Sequence, residues 1–159
     1  MLDLSAEEVR ALLPWGALIA AGREMFRQGC EMPVRHHHSV GVPGDPDATL
    51  LLMPAWLPGE YLGVKVATIF PGNAAREQGA VSASYILMSG QSGETLAIID
   101  GGELTARRTA ATSVLAASFL ARPEAESHLI VGTGRMAANL AAAYASERPL
   151  RRLTIWGRN

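Results

Sequence analysis

The spacing of hydrophobic positions along this chain changes several times, and each change marks a change of element. Ser5-Ala6-Glu7-Glu8 has the spacing of a capping box, in which a hydroxyl and a carboxylate satisfy the free amides of a helix start. It predicts a short helix ending at Leu13. After Pro14, Trp15, Leu18, Ile19, Gly22, Met25 and Phe26 recur at threes and fours until Gly29, the pattern of a second amphipathic helix closed by a glycine. From Pro33 the period shortens. Residues 34–40, 48–53, 61–70, 82–89 and 95–99 read as strands, separated by Gly- and Pro-rich turns such as Leu57-Pro58-Gly59 and Pro71-Gly72-Asn73. Strands in succession predict a mainly antiparallel or mixed sheet. Residues 103–120 are alanine-rich and helical, and beyond Pro123 the order becomes strand (129–131), helix (134–146), strand (153–156). The fold class expected is α/β: a strand-rich α+β domain over residues 1–123, then residues 124–159 as a β-α-β unit opening a parallel α/β domain.

A chain of 159 residues is one ordinary domain or a little more, and 48% hydrophobic content with 18% charge excludes disorder by composition. The net charge of -1 gives no electrostatic reason to expect nucleic acid or an acidic membrane as partner. Cys30, the single cysteine, cannot form an intramolecular disulfide or a multi-cysteine zinc site. It has no evident activating neighbour and is expected in the core. Acidic residues near the start do not suit a secretory leader, and the apolar stretch 15–22 falls far short of the ~20 residues a membrane span requires. A cytoplasmic location is expected.

Candidate chemistry begins at His128-Leu129-Ile130-Val131-Gly132-Thr133-Gly134-Arg135-Met136-Ala137, a strand running through G-x-G-x-x-A into a helix. The first glycine permits a tight turn, the second lets backbone approach a pyrophosphate at the helix N-terminus, and the small third residue lets helix and strand pack closely. After the next strand comes Trp156-Gly157-Arg158-Asn159, without the carboxylate that holds the ribose hydroxyls of NAD. An arginine there accommodates the 2'-phosphate of NADP, so NADP(H) is the preferred cofactor, with NAD(H) possible. Thirteen of the fourteen basic residues are arginine; the one lysine, Lys65, lies mid-strand on a face with Gly63, Ala67 and Ile69. An ammonium so placed needs a carboxylate, a ligand or a shifted pKa, unless the strand is an edge and the amine reaches solvent. Arg35, Arg107 and Arg108 could each grip a carboxylate with a two-pronged guanidinium, or lie on the surface. His36-His37-His38 puts only two imidazoles on one strand face, with no carboxylate or cysteine nearby, and no metal site is expected.

The order of these segments resembles the ornithine cyclodeaminase/mu-crystallin family over the whole chain. The resemblance rests on Pro33-Val34-Arg35, on Gly63-Val64-Lys65-Val66 leading to Phe70-Pro71-Gly72-Asn73, and on Leu104-Thr105-Ala106-Arg107-Arg108-Thr109-Ala110-Ala111-Thr112-Ser113. The glycine motif and Trp156-Gly157-Arg158 complete it. It implies a homodimer built on the strand-rich domain and a nicotinamide cofactor on the Rossmann domain. It implies a substrate carboxylate held by Arg35, Lys65 and Arg108, with Lys65 also placed to hydrogen-bond or protonate the imine or amine nitrogen. Arg108, Thr109, Gly132, Thr133, Gly134, Arg135, Met136, Ala137, Gly157, Arg158 and Asn159 are the implied cofactor contacts. Members of that family are longer, so the chain would correspond to their N-terminal part. The function so implied is NAD(P)H-dependent reduction of a cyclic imino acid, 1-pyrroline-2-carboxylate to proline or 1-piperideine-2-carboxylate to pipecolate. The alternatives are an NAD-dependent ornithine cyclodeaminase and a noncatalytic mu-crystallin-like binding protein. The partners expected are the small imino or amino acid and a second copy of the chain.

Overall fold

A computed structural model describes residues 1–158 and shows a mixed α/β chain. Its elements are β1 (Leu2–Leu4), α1 (Ala6–Leu12), α2 (Trp15–Gln28), β2 (His36–Val40), β3 (Ala48–Leu57), β4 (Tyr61–Ile69), a 3-10 turn (Pro71–Arg76), β5 (Val81–Ser89), β6 (Thr95–Asp100), α3 (Gly101–Leu120), β7 (Ser127–Val131), α4 (Arg135–Glu147) and β8 (Arg152–Trp156). The capping box forms as expected, with the Ser5 hydroxyl and amide both donating to the Glu8 carboxylate at 2.7 and 2.9 Å. Those bonds hold the Glu8 carboxyl below its ordinary range. Gly29 closes α2 at φ +82°, a conformation that glycine adopts without the Cβ penalty of other residues.

The chain divides into two compact units. The first comprises Met1–Val9 and Cys30–Leu104; the second comprises Arg10–Gly29 and the chain from Thr105 onward. The helices α2 and most of α3 therefore group with α4, β7 and β8 rather than with the strands β1 to β6.

The first unit is a six-stranded sheet in the order β1-β6-β5-β4-β3-β2, antiparallel throughout except that β1 runs parallel to β6. β1 is three residues long, too short for an alternating pattern to announce it. β3 extends four residues past the expected 48–53, because Pro54 to Leu57 continue the ladder with Val64 to Tyr61. Pro54 is tolerated because the β2 ladder ends at Leu52, leaving that side of β3 without a strand whose ladder would need its N–H. Along this edge Glu31 exchanges two backbone bonds with Trp56 and accepts the Trp56 indole N–H at 2.8 Å. This pairing lays the segment before β2 alongside β3. Cys30, at its start, is exposed rather than in the core, because it flanks an open sheet edge.

In the second unit, Ile19 of α2, Ala110, Ala111, Val114 and Leu115 of α3, and Ala143 of α4 form one buried cluster. Its alanines explain the composition of α3, since small side chains let helix axes approach closely. β7 and β8 form a separate parallel pair with α4 between them in sequence. No described helix is long and apolar enough to cross a membrane.

Candidate substrate and cofactor sites

Lys65 is at the middle of β4, which has β3 on one side and β5 on the other. The edge-strand reading of this lysine is therefore excluded. Register places Met53, Lys65, Tyr85 and Ile99 in one row across the sheet. Directly paired residues share a face, so these side chains lie on the same side. The flanking rows on that face are Leu51, Ala67 and Ala83 on one side and Ala55, Gly63 and Leu87 on the other. Lys65 thus rises from a patch of apolar and small side chains, half-buried. Arg35 is exposed and immediately precedes His36, which pairs with Leu52, so it stands at the β2 end of the Lys65 row.

Tyr85 is a member of this face that the sequence does not single out. Its ring leans over Gly63, where a Cβ would overlap the phenol oxygen. Burial, and secondarily negative charge on the Cys30 sulfur, pushes its pKa above the ordinary value. The phenol is therefore neutral near pH 7.

In the second unit the glycine motif forms a tight turn from strand into helix. Gly132 follows β7 at φ +125°, a region L side chains rarely adopt, and its amide bonds the Trp156 carbonyl at 2.7 Å. Gly134 is the N-cap of α4 with no side-chain cap, leaving the first-turn amides unclaimed by any capping side chain. Ala137 is buried within that first turn, where a larger residue would force the helix outward. At the end of β8, Gly157 sits against Thr133, whose methyl occupies the place of a Cβ. Two adjacent strand ends and one bare helix start form a glycine-lined cradle, and this donor set fits a dinucleotide pyrophosphate. Thr133, Gly134 and Arg135 are exposed around the turn, Met136 packs against the helical cluster, and Arg158 is exposed beyond β8. Asn159 lies outside the described residues.

The two arginines of α3 separate cleanly. Arg107 is buried, donates twice to the Leu13 carbonyl at 3.0 and 2.5 Å, and stacks 3.9 Å from the centre of the Trp15 ring. It ties α3 to the segment before α2. Arg108 is exposed, and Thr109 turns its hydroxyl back to the Thr105 carbonyl. His36 and His38 share one face of the edge strand with ring centres 6.3 Å apart; among the described residues no three His, Cys, Asp or Glu side chains are grouped to hold a metal.

A family model described as the ornithine cyclodeaminase/mu-crystallin family matches residues 4–159. A Delta(1)-pyrroline-2-carboxylate reductase of Paracoccus denitrificans is 39% identical over 136 residues, covering 85% of this chain and 43% of that protein. The Thermococcus litoralis Delta(1)-pyrroline-2-carboxylate reductase in complex with NADH and L-proline superposes with a TM-score of 0.84 at 28% identity, over 100% of this chain and 50% of that one. An archaeal alanine dehydrogenase dimer with bound NAD superposes with a TM-score of 0.85 at 28% identity, over 99% and 48%. The chain spans about half the length of the curated relatives it matches.

Proposed function

Because the chain belongs to the ornithine cyclodeaminase/mu-crystallin family, we propose that it carries the substrate-binding sheet and the start of the dinucleotide site of an NAD(P)H-dependent reductase of cyclic imino acids. The substrate is 1-pyrroline-2-carboxylate, giving proline, or its six-membered homologue, giving pipecolate. The observation that carries this reading is the chain's one lysine, interior to the sheet on a small-residue face, in a chain 39% identical to a protein named for that reduction. We assign Arg35, Lys65 and Arg108 to the substrate carboxylate. A guanidinium grips a carboxylate with two parallel N–H bonds, and the ammonium of Lys65 has a proton to give the ring nitrogen. The bound reduced nicotinamide would supply the hydride that the imine carbon receives.

For the cofactor we assign Gly132, Thr133, Gly134, Arg135, Met136, Ala137, Gly157, Arg158 and Asn159, with Arg108 and Thr109 from α3. Arg158 is the argument for NADP(H) over NAD(H), since a guanidinium complements a 2'-phosphate. The same reading places the functional division near residue 123 and makes the working form a cytoplasmic homodimer; the alanine dehydrogenase dimer supports the latter.

The test is steady-state turnover of 1-pyrroline-2-carboxylate by the protein at its full encoded length, with NADPH and with NADH. Arg35→Ala should raise KM roughly ten- to a hundredfold, the loss of one charge-assisted contact. Lys65→Met should lower kcat as well, and Arg158→Asp should narrow or invert a preference for NADPH. Unchanged turnover by Lys65→Met would remove the lysine from the chemistry, and equal use of both cofactors before and after Arg158→Asp would remove the argument for NADP.

A further inference from the structure

The face around Lys65 is asymmetric. Toward the Ala67 row its neighbours at the centre of the sheet are the methyl groups of Ala67 and Ala83. Toward the Gly63 row the sequence provides no side chain at all on β4, yet the place is filled. The Tyr85 phenol, reaching diagonally from the strand beside Lys65, lies where a Gly63 side chain would be. Gly63 is buried beneath it. Tyrosine at 85 and glycine at 63 are thus two halves of one arrangement, because any Cβ at 63 would evict the ring.

We propose that Tyr85 sets the ring size this site accepts: its phenol, seated over Gly63 next to Lys65, is a rigid wall on one side of the amine that favours a five-membered imino acid over the six-membered one. This rests on the reading of Lys65 as the group that meets the substrate nitrogen. With the phenol filling the Gly63 side, a ring whose nitrogen faces Lys65 would be confined to the alanine side, and a larger ring would press back against the phenol. The wall is uncharged near neutral pH, so it does not repel the substrate carboxylate. A side chain seated against the backbone discriminates by shape, and one methylene is typically worth roughly 10- to 200-fold in kcat/KM.

Two measurements test this. The first is a double-mutant cycle on stability, with Gly63→Ala, Tyr85→Ala and both together. Gly63→Ala should destabilise the protein while Tyr85 is present and lose most of that cost in the Tyr85→Ala background. Additive effects would overturn the seating of the phenol. The second is the ratio of kcat/KM for 1-pyrroline-2-carboxylate and 1-piperideine-2-carboxylate, measured at full encoded length. The wild type should favour the five-membered ring, Tyr85→Ala and Tyr85→Leu should move the ratio toward the six-membered ring by about tenfold or more, and Tyr85→Phe should leave it in place. No preference in the wild type, an unmoved ratio in both truncations, or an equal shift in Tyr85→Phe would each overturn the proposal. Lys65→Met separates the two levels. If it keeps turnover, the reading of the lysine fails; if it abolishes turnover of both rings while Tyr85→Ala leaves the ratio unmoved, only the wall fails.

Discussion

Arg107 and Arg108 are adjacent in the chain and one helical step apart, about 100° around α3, which puts one guanidinium inside the second unit and the other in water. Arg107 holds the Leu13 carbonyl at the bend between α1 and α2 and covers the Trp15 ring. Replacing it with methionine keeps the apolar stem but leaves a carbonyl without its charged donors, at a cost of about 1.5–3 kcal/mol. Arg108→Ala should change stability by less than about 0.5 kcal/mol, as at an exposed site. Urea titrations of the two variants check this directly; equal losses would mean that Arg108 also braces the helix. Nothing in the dipeptide distinguishes the two, because which arginine turns inward depends on the helix phase set by Ala106, Ala110 and Ala111 packing inside.

Among the elements, β7 is informative because its two faces differ. Ile130 is buried, whereas Leu129 and Val131 on the opposite face are 61% and 70% exposed. On the covered side His128 stacks on Tyr144 of α4 with ring centres 4.0 Å apart, and burial lowers its pKa. The neutral imidazole is therefore preferred in the folded unit, while the unfolded chain takes up a proton at its ordinary value of about 6.5. The stability this contact contributes is complete above that value and is lost as pH falls through it toward the lower folded value. Thermal melts between about pH 7.5 and 5.5 should show the wild type losing more stability on acidification than His128→Gln. Parallel pH curves for the two proteins would show that His128 does not report on the fold.

At the scale of the whole molecule, protection should be uneven. β4 and β5 have strand partners on both sides, while among the described residues β7 and β8 pair only with each other, and Leu153, Ile155 and Trp156 are exposed at 45%, 47% and 59%. A two-stranded ladder with an open apolar face opens at low free-energy cost. In the 159-residue chain, amide exchange should be much faster across 127–131 and 152–156 than across 62–68 and 82–87. Equal protection in the two sheets would mean that the short pair is held by more than its own ladder and α4.

Where residues near in sequence are also near in space, the chain's own pattern was enough. The capping box at Ser5, the glycine stop at Gly29, the succession of strands and the turn at Gly132 all depend on interactions within a few residues, and each appears where period and turn chemistry put it. The family, too, was legible from short motifs, since Arg35, Lys65 and Arg108 lie in local segments. What pairs distant positions was not. Whether Lys65 lay on an edge or in the interior depended on β3 and β5 both pairing with β4. The exposure of Cys30 followed from the segment before β2 lying along an open edge, and the depth of Arg107 from the burial of one face of α3. The phenol over Gly63 joins residues 22 apart through strand register, and no periodicity in a single strand encodes the register of the next. The physical reason is the same in each case: hydrogen-bonded turns are set by local dihedral preferences, whereas burial is a property of what the folded chain brings alongside.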